Sequence, residues 1–507
     1  MGNRTTLLKE LIVIDKAIDT PVYLQITNAI IQHILQRKLR KDVRLPGSRE
    51  MAALLKINRM TVVAAYRELD AQGWIEMRPR KGSFVKVDQL STAKTLAATP
   101  GGRPAATTAA GPTAFTLPRQ PGFHFDENRV LPFYSPDFPP AGKLVLNSGF
   151  PDTRLAPVEA LARSIRSFSR KSFNKKYLTY GGAQGTLFLR ETLAAFLCDT
   201  RGLSITPENI LITKGAQMGI YITSSILIKK NEEVIVGTPG YAGANLTFRQ
   251  TGARINYVPV DEDGLNIDWV EKLCKNKIIR LVYVIPHHHH PTTVILSPER
   301  RIRLLELAAK YKFAIVEDDY DYDFHYASRS MMPMASLDRN GNVIYIGALS
   351  KSLAPAIRVG FIVAPEEFIR RATWLRKFID TQGDSLIENA VAELYKDGTI
   401  VRHIKKSVKL YKERRDYFCA LLDHELGNAI TFKIPDGGMS VWTTFLGAPL
   451  PAIAANAFKN GLILGDGTDY DTKKTKYNSV GLGFAALNFT EQEKALEILK
   501  EAVRIVT

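Results

Sequence analysis

Hydrophobic residues follow two different spacings along this chain. In residues 20–87 they recur at helical spacing, as in Val22 to Gln36, and then give way to short alternating runs. From Lys143 onward, short apolar runs rich in β-branched residues alternate with amphipathic stretches. Runs that are apolar on both faces are typical of strands in a covered parallel sheet. The second part therefore has an α/β pattern, with a large and mostly parallel sheet.

The first part predicts three helices and a hairpin. We expect helices over residues 22–36, 49–55 and 59–72, with Ser48 as the N-cap of the second. A short turn at Ile57-Asn58 joins the last two helices, a geometry that presents the third helix to the DNA major groove. Residues 73–85 predict a hairpin with a basic tip, a wing that can follow the DNA backbone or enter the minor groove.

The second part predicts strands separated by helices. The helices include Pro298 to Lys310 and Glu366 to Phe378. The strands are Asn209–Thr213, Glu233–Val236, Leu281–Ile285, Phe313–Val316 and Val343–Ile346.

Between these parts the composition changes. Residues 88–142 include a long stretch of Ala, Thr, Pro and Gly that cannot bury a core, and we interpret them as a flexible linker. The length of 507 residues also exceeds what one compact core covers. We therefore predict a DNA-binding domain over 1–87, a linker over 88–142 and a larger domain over 143–507.

The charge balance points to a polyanionic partner. The formal net charge is +17, and residues 1–87 hold 16 Lys and Arg against 8 Asp and Glu. Three scattered cysteines without CxxC spacing suit a reducing compartment. The first 16 residues are too short in apolar length for a signal segment or a membrane span. We expect a cytoplasmic protein that does not interact with membranes.

Lys351 is the candidate for covalent chemistry. It follows a predicted buried strand and lies 33 positions after Asp318, at the end of another. A pyridoxal phosphate site needs a lysine amine for an imine and an acid that keeps the pyridine nitrogen protonated. Burial favours the imine because it lowers the pKa of the lysine. Tyr320, two residues after Asp318, is placed to bond the phenolic oxygen.

Other residues suit the phosphate and the ring of the same cofactor. Ala216 and Gln217 would open a helix whose N–H groups bind an anion. Ser350 and Arg358 would add a hydroxyl and a charged fork. Tyr241 supplies an aromatic ring that can stack on the cofactor.

The first part resembles the winged helix-turn-helix of GntR-type bacterial regulators. The resemblance rests on Thr20-Pro21-Val22-Tyr23, on Leu45-Pro46-Gly47-Ser48-Arg49-Glu50 and on residues 59–73. It implies that Arg37 and Asp42 replace two usual glycines. The DNA-binding residues that it implies are Ser48, Arg49, Arg59, Thr61, Tyr66, Lys81 and Gly82.

From Tyr180-Gly181-Gly182 onward the chain resembles fold-type I aminotransferases, which adds the expectation of a smaller C-terminal α+β subdomain. Joined to the GntR-type part, it resembles the MocR class of regulators. That resemblance implies a head-to-tail homodimer that binds pyridoxal 5′-phosphate. The cofactor-binding residues that it implies are Lys351, Asp318, Tyr320, Tyr241, Ala216, Gln217, Ser350 and Arg358.

Two segments depart from the class pattern. His287 to His290 replace a different sequence, so that His290 takes a position near the cofactor oxygen and Thr293 replaces a turn glycine. Adjacent strand residues point to opposite sides, so we expect no metal site there. Gly481 replaces the arginine that grips the substrate carboxylate in aminotransferases, which predicts weak or absent turnover.

We interpret the chain as a pyridoxal phosphate-dependent transcriptional regulator. It would bind double-stranded promoter DNA and sense an amino compound, or the cofactor itself, through the Lys351 imine. One alternative is an active aminotransferase with an appended DNA-binding part. Another is a repressor whose large domain has lost the cofactor.

Overall fold

The computed structural model describes residues 12–15, 17–87, 121–124, 126, 129–131, 142–146, 149–170, 175, 177–327, 331–471 and 475–506. The chain divides into two compact units, residues 1–125 and 126–507. Their boundary falls within the predicted linker, residues 88–142, most of which lies outside the described residues.

The first unit consists of helices α1 (Val22–Leu35), α2 (Ser48–Leu55) and α3 (Arg59–Ala71) and strands β1 (Ile75–Arg78) and β2 (Gly82–Val85). The strands pair antiparallel. The apolar stripes of the helices form one core because their helical spacing brings them to a common side, with Ile26, Ile30, Val62 and Leu69 fully buried. The predicted helices and hairpin are confirmed within one residue at most ends.

Two departures from the family pattern occupy turns with a left-handed backbone. Arg37 has a φ of 63° and Asp42 a φ of 62°. Glycine adopts this region without strain, whereas the Cβ of other residues makes this backbone conformation modestly less stable. The usual glycines are therefore explained by backbone conformation, and the turn after α1 keeps that conformation here with side chains present.

The second unit has strands and helices in alternation. The strands of its main sheet are β4 (Ile210–Thr213), β5 (Glu233–Thr238), β6 (Arg254–Asp261), β7 (Gly264–Leu265), β8 (Ile279–Val284), β9 (Ala314–Asp319), β10 (Val343–Ala348) and β11 (Gly360–Val363), while β3 (Leu144–Val145) precedes them. The helices between Val158 and Lys396 are α4 (Val158–Arg170), α5 (Leu187–Arg201), α6 (Ala216–Leu227), α7 (Ala242–Gln250), α8 (Ile267–Asn276), α9 (Pro298–Tyr311), α10 (Met334–Leu337), α11 (Glu366–Asp380) and α12 (Ser385–Lys396).

The main sheet has the order β4-β11-β10-β9-β8-β5-β6-β7. The five strands β10, β9, β8, β5 and β6 run parallel, while β11 and β7 are antiparallel to their neighbours. Helices cover both faces, which is why the central strands are mostly apolar. The predicted α/β fold with a mostly parallel sheet is confirmed. Ligands of such sheets bind at the carboxyl ends of the strands.

A smaller subdomain completes the unit. It comprises helices α13 (Thr399–Leu426), α14 (Leu450–Lys459) and α15 (Phe489–Val506) and strands β12 (Ile430–Phe432), β13 (Ser440–Phe445), β14 (Leu462–Ile463) and β15 (Ser479–Gly483). Strands β12, β13 and β15 form an antiparallel sheet, and β14 pairs with β3. The expected C-terminal α+β subdomain is confirmed. None of the helices in the described ranges is both long and apolar enough to cross a membrane.

Candidate cofactor site and DNA-binding surface

Lys351 lies in the turn that follows β10, at the carboxyl end of the sheet, and its side chain is half-buried. Burial disfavours the charged ammonium and lowers the pKa of Lys351 to about 8, although the nearby carboxylates of Asp321 and Asp318 oppose this change. The ring of Phe150 lies 5.1 Å from Nζ. A lysine with this pKa carries a sizeable neutral fraction near pH 7 and can act as a nucleophile.

Asp318 differs from its two acidic neighbours because side chains alternate across a strand. Glu317 faces one side of β9 and accepts the backbone N–H groups of Met334 and Ala335 at 2.8 Å. Asp319 also bonds on that side, accepting the hydroxyl of Tyr345 at 2.6 Å. Asp318 faces the other side, toward the charge of Lys351.

The two oxygens of the Asp318 carboxylate differ in their hydrogen bonds. Oδ2 accepts the hydroxyl of Tyr283, on the neighbouring strand β8, at 2.6 Å. Oδ1 is buried and has no hydrogen-bond partner among the described residues. Burial raises the pKa of Asp318 to about 7, against the effect of the Tyr283 bond. A buried carboxylate oxygen without a partner suits a ligand that brings a donor or a positive charge.

The amino end of α6 forms a cradle for an anion. Ala216 and Gln217 open this helix, so their N–H groups are not used within it. Gly215 precedes them with a φ of 87°, and a Cβ there would lie 2.7 Å from Nη2 of Arg358. The guanidinium of Arg358 donates to the Lys214 carbonyl and stays exposed. Glycine at 215 therefore lets a cation lie against the helix end.

Ser350 and Tyr241 border the same region. Ser350 directly precedes Lys351 and is partly exposed. The hydroxyl of Tyr241 donates to Oε1 of Gln217 at 3.2 Å. Burial raises the pKa of Tyr241 to about 12, and Asp318 and Arg358 both act on it electrostatically. The structure thus brings together residues that are up to 142 positions apart in the chain.

The four consecutive histidines have four separate environments. His287 bonds the Met331 carbonyl at 2.6 Å, and His288 bonds Asp321 at 2.9 Å. His289 bonds the Pro239 carbonyl at 2.9 Å. In the described part of the chain, no group of three His, Cys, Asp or Glu side chains is arranged to hold a metal.

His290 packs between two tyrosines beside the Lys351 site. Its ring makes an edge contact with Tyr241 at a centroid distance of 5.6 Å, and its Nε2 lies 3.5 Å from the hydroxyl of Tyr470. Burial lowers the pKa of His290 to about 3, with contributions from His289 and Lys351, so the ring is neutral at pH 7. Thr293 has a φ of 61°, which explains why glycine is usual at that turn. Tyr320 donates to the His288 carbonyl at 3.3 Å.

Sequence reasoning missed four residues of this region, namely Tyr283, Tyr470, Trp442 and Phe150, whose ring lies 5.1 Å from Nζ of Lys351. Tyr283 bonds Asp318, and a tyrosine within an otherwise aliphatic strand was the signal that could have identified it. Tyr470 and Trp442 gave no such signal, because each reaches the site only through the fold of the smaller subdomain.

The first unit presents a basic surface at the start of α3. Arg49, Arg59 and Lys81 are exposed, and Thr61 and Gly82 are partly exposed. The side chain of Asn58 caps α3 by accepting the N–H of Met60 at 2.8 Å. The first turn of α3, which we expect to meet base edges as a recognition helix does, thus begins at a capped helix end.

Two predictions for this unit are wrong in detail. Tyr66 is only 3% exposed and donates to the Pro46 carbonyl at 2.8 Å, so it anchors the segment before α2 and cannot contact DNA directly. Ser48 is not an N-cap, because Gly47 takes that position and no side chain caps α2. Its hydroxyl instead accepts Nε of Arg59 at 3.3 Å.

Comparison with known proteins agrees with both units. Residues 141–463 match the family model of class I and II aminotransferases, and residues 22–85 match that of the gntR family of bacterial regulatory proteins. The chain is 27% identical to the uncharacterized HTH-type transcriptional regulator YisV of Bacillus subtilis, over 96% of both chains. It is 28% identical to the probable rhizopine catabolism regulatory protein MocR of Rhizobium meliloti, over 86% of this chain and 84% of that protein.

A solved structure supports the same assignment for the second unit. The α-aminoadipate aminotransferase LysN of Thermus thermophilus, complexed with N-(5′-phosphopyridoxyl)-L-leucine, superposes with a TM-score of 0.68. It is 26% identical, and the match covers 72% of this chain and 93% of that one. The chain therefore belongs to the class I and II aminotransferase family and joins that domain to a GntR-family module, the architecture of MocR-type transcriptional regulators.

Proposed function

We propose that this protein is a pyridoxal phosphate-dependent transcriptional regulator that binds promoter DNA and senses an amino compound, or the cofactor itself, through Lys351. One observation carries the proposal. A half-buried lysine with a pKa near 8 lies beside a buried carboxylate, Asp318, whose Oδ1 has no partner among the described residues. These are the two groups that the aldehyde and the pyridine nitrogen of the cofactor require.

The residues present fit the cofactor. The unpartnered Oδ1 of Asp318 suits the pyridine N–H, and the glycine cradle at 215 suits a phosphate. When bound, the cofactor supplies an electrophilic aldehyde on an electron-withdrawing ring. The residues that would hold it are Lys351, Asp318, Tyr320, Tyr241, Ala216, Gln217, Ser350, Arg358 and His290.

Several of these residues would have distinct tasks. Lys351 provides a neutral amine, since its lowered pKa keeps a fraction unprotonated at pH 7. Asp318 would keep a proton on the pyridine nitrogen, and the Tyr283 hydroxyl orients the Asp318 carboxylate. Arg358 and the N–H groups at the start of α6 would bind the phosphate and offset its charge. Tyr241 would stack on the ring, and the bond from its hydroxyl to Gln217 fixes the orientation of the tyrosine.

The exposed residues of the first unit serve DNA binding. We expect Arg59→Ala to weaken promoter binding by about 1 to 3 kcal/mol and to reduce its salt dependence, because one cation near the backbone or a base edge is lost. Visible absorption after addition of pyridoxal phosphate should not change. Retardation assays at several salt concentrations measure the effect. Arg504→Ala, at an exposed position in the last helix of the second unit, removes the same charge and is the matched control. Unchanged affinity of Arg59→Ala would contradict the placement of the DNA-binding surface.

A head-to-tail homodimer is part of the proposal. Two DNA-binding units in a dimer would engage two half-sites, whose spacing follows from the dimer geometry. An effector would then change DNA affinity by binding one domain arrangement more tightly than another. Sedimentation of the purified protein measures its assembly state.

One titration tests the whole proposal. Pyridoxal phosphate and then primary amines are added to the full chain while visible absorption and promoter retardation are recorded together. We expect an absorption band on cofactor addition and a change in DNA affinity that follows its occupancy or its shift. Steady turnover of an amino donor and a keto acid at an ordinary enzymatic rate would favour the aminotransferase alternative. A protein that stays colourless would exclude both and favour the repressor without cofactor.

A further inference from the structure

Position 481 is the central residue of β15, an edge strand of the three-stranded antiparallel sheet in the smaller subdomain. Gly481 on β15 is directly opposite Trp442 on β13. Directly opposite residues of an antiparallel pair project to the same face of the sheet. A long side chain at 481 would therefore extend alongside the Trp442 indole. Because residue 481 is glycine, no side chain from β15 lies directly opposite the Trp442 indole.

A row of aromatic rings continues from Trp442 to the Lys351 site. The rings of Trp442 and Tyr470 make an edge contact at 5.2 Å between centroids. Tyr470 lies 6.0 Å from His290, and His290 lies 5.6 Å from Tyr241. We name these four side chains, Trp442, Tyr470, His290 and Tyr241, the ring wall.

The ring wall is accessible and uncharged. All four side chains are partly exposed. His290 is neutral at pH 7, because burial lowers its pKa to about 3. Across the described residues, no lysine or arginine stacks on these rings. Aromatic faces carry partial negative charge, so such a surface attracts apolar and aromatic groups and does not favour a carboxylate.

The ring wall borders the reactive lysine. Tyr241, His290 and Lys351 lie in the segments that follow the carboxyl ends of β5, β8 and β10, which are parallel strands of the same sheet. Consistent with this placement, the charge of Lys351 contributes to the lowered pKa of His290. An amine that takes the place of Lys351 in the bond to the cofactor would thus have one of its substituents next to the ring wall. That substituent would take the place where the missing arginine of aminotransferases would hold a carboxylate.

We propose that the effector is a primary amine that carries an aromatic or apolar group in place of an α-carboxylate, and that Trp442 and Tyr470 determine this preference. The inference rests on the proposed function of the Lys351 site. In the exchange, the amine nitrogen forms the C=N bond to the cofactor's aldehyde carbon, and the C=N bond to Nζ of Lys351 breaks. Lys351 leaves as a free amine with the protons that the incoming nitrogen loses. No oxidant, reductant or water is consumed.

The test compares 2-phenylethylamine with phenylalanine, which differ only in the carboxylate. The full chain is first loaded with pyridoxal phosphate, and dissociation constants are measured from the shift of its visible band and from calorimetry. We expect the amine to bind about tenfold more tightly or better, since no guanidinium offsets the desolvation of the carboxylate. Trp442→Ala should reduce this preference, and Trp269→Ala, on the exposed side of α8, should leave it unchanged.

Introducing an arginine at position 481 tests the same inference in the opposite direction. Gly481→Arg should shift the preference toward phenylalanine, because it adds a cation that can bond a carboxylate. Since Gly481 is buried opposite Trp442, the double variant Gly481→Arg/Trp442→Gly supplies room for the new side chain.

The outcomes separate the inference from the proposed function. Equal or tighter binding of phenylalanine by the wild-type chain would overturn the inference. A loaded protein that exchanges with neither compound would also overturn it, while the cofactor assignment would stand. If no visible band forms on addition of pyridoxal phosphate, the proposed function fails and the inference fails with it.

Discussion

Lys351→Ala should abolish the visible band that forms when pyridoxal phosphate is added to the protein. The band requires a C=N bond to an amine, and Lys351 is the lysine whose pKa burial lowers to about 8 at the carboxyl end of the sheet. Absorption spectroscopy of the purified full chain measures the effect. Lys310→Ala, at an exposed position of α9, is the matched control and should keep the band. A band of undiminished size in Lys351→Ala would contradict the assignment.

The lowered pKa of Lys351 predicts that the rate of band formation depends on pH. Only the neutral amine attacks the aldehyde, so the rate of band formation should rise as the pH increases and should level off above about 8. Burial is the main cause of this lowered pKa, and Arg358 adds to it, while Asp321 and Asp318 act in the opposite direction. Stopped-flow absorption across a pH series gives the midpoint. A midpoint near the ordinary lysine pKa of about 10.4 would show that Lys351 is not the attacking group.

Asp318→Ala should weaken pyridoxal phosphate binding by roughly a hundredfold or more, because removing one partner of a buried charge pair costs about 3 to 5 kcal/mol. The unpartnered Oδ1 is the atom that would meet the pyridine nitrogen. Equilibrium titration followed by the visible band gives the dissociation constant. Asp318→Asn tests the charge separately, since the amide keeps the shape and loses the negative charge.

Two further variants delimit this prediction. Tyr283→Phe removes the hydroxyl that donates to Oδ2 at 2.6 Å but keeps the carboxylate, so we expect a smaller loss of affinity. Asp268→Ala removes an exposed aspartate from α8 and should have no effect. An unchanged dissociation constant for Asp318→Ala would mean that another group holds the pyridine nitrogen.

The three consecutive acidic residues on β9 show why a sequence pattern alone does not identify the carboxylate of the site. Glu317, Asp318 and Asp319 are consecutive, and composition does not distinguish them. The pleat of β9 does, because it turns 317 and 319 to one face, where they bond the α10 backbone and Tyr345. Asp318 is left on the other face with Lys351. The alternation of side chains along a strand therefore distinguishes the candidate carboxylate from its neighbours once the strand is known.

Much of the fold was predictable from local patterns. Apolar runs on both faces predicted the central strands, and the observed strands β5, β8, β9 and β10 contain most of the residues expected. Helical spacing predicted α1 and α3 because their stripes pack on one core. The buried Tyr66 was misassigned as a DNA contact, since a motif gives a residue's position and not the direction of its side chain.

The sequence by itself determined the two kinds of domain, the strand and helix pattern, and Lys351 and Asp318 as candidates for one site. These features depend on residue type and on spacing within short segments. Only the tertiary structure decided which oxygen of the Asp318 carboxylate has no partner among the described residues and that Tyr283 orients this carboxylate. It also decided that Trp442 and Tyr470 continue a row of rings toward His290. Those relations join residues far apart in the chain, and their side-chain directions are set by packing between elements, which no local pattern contains.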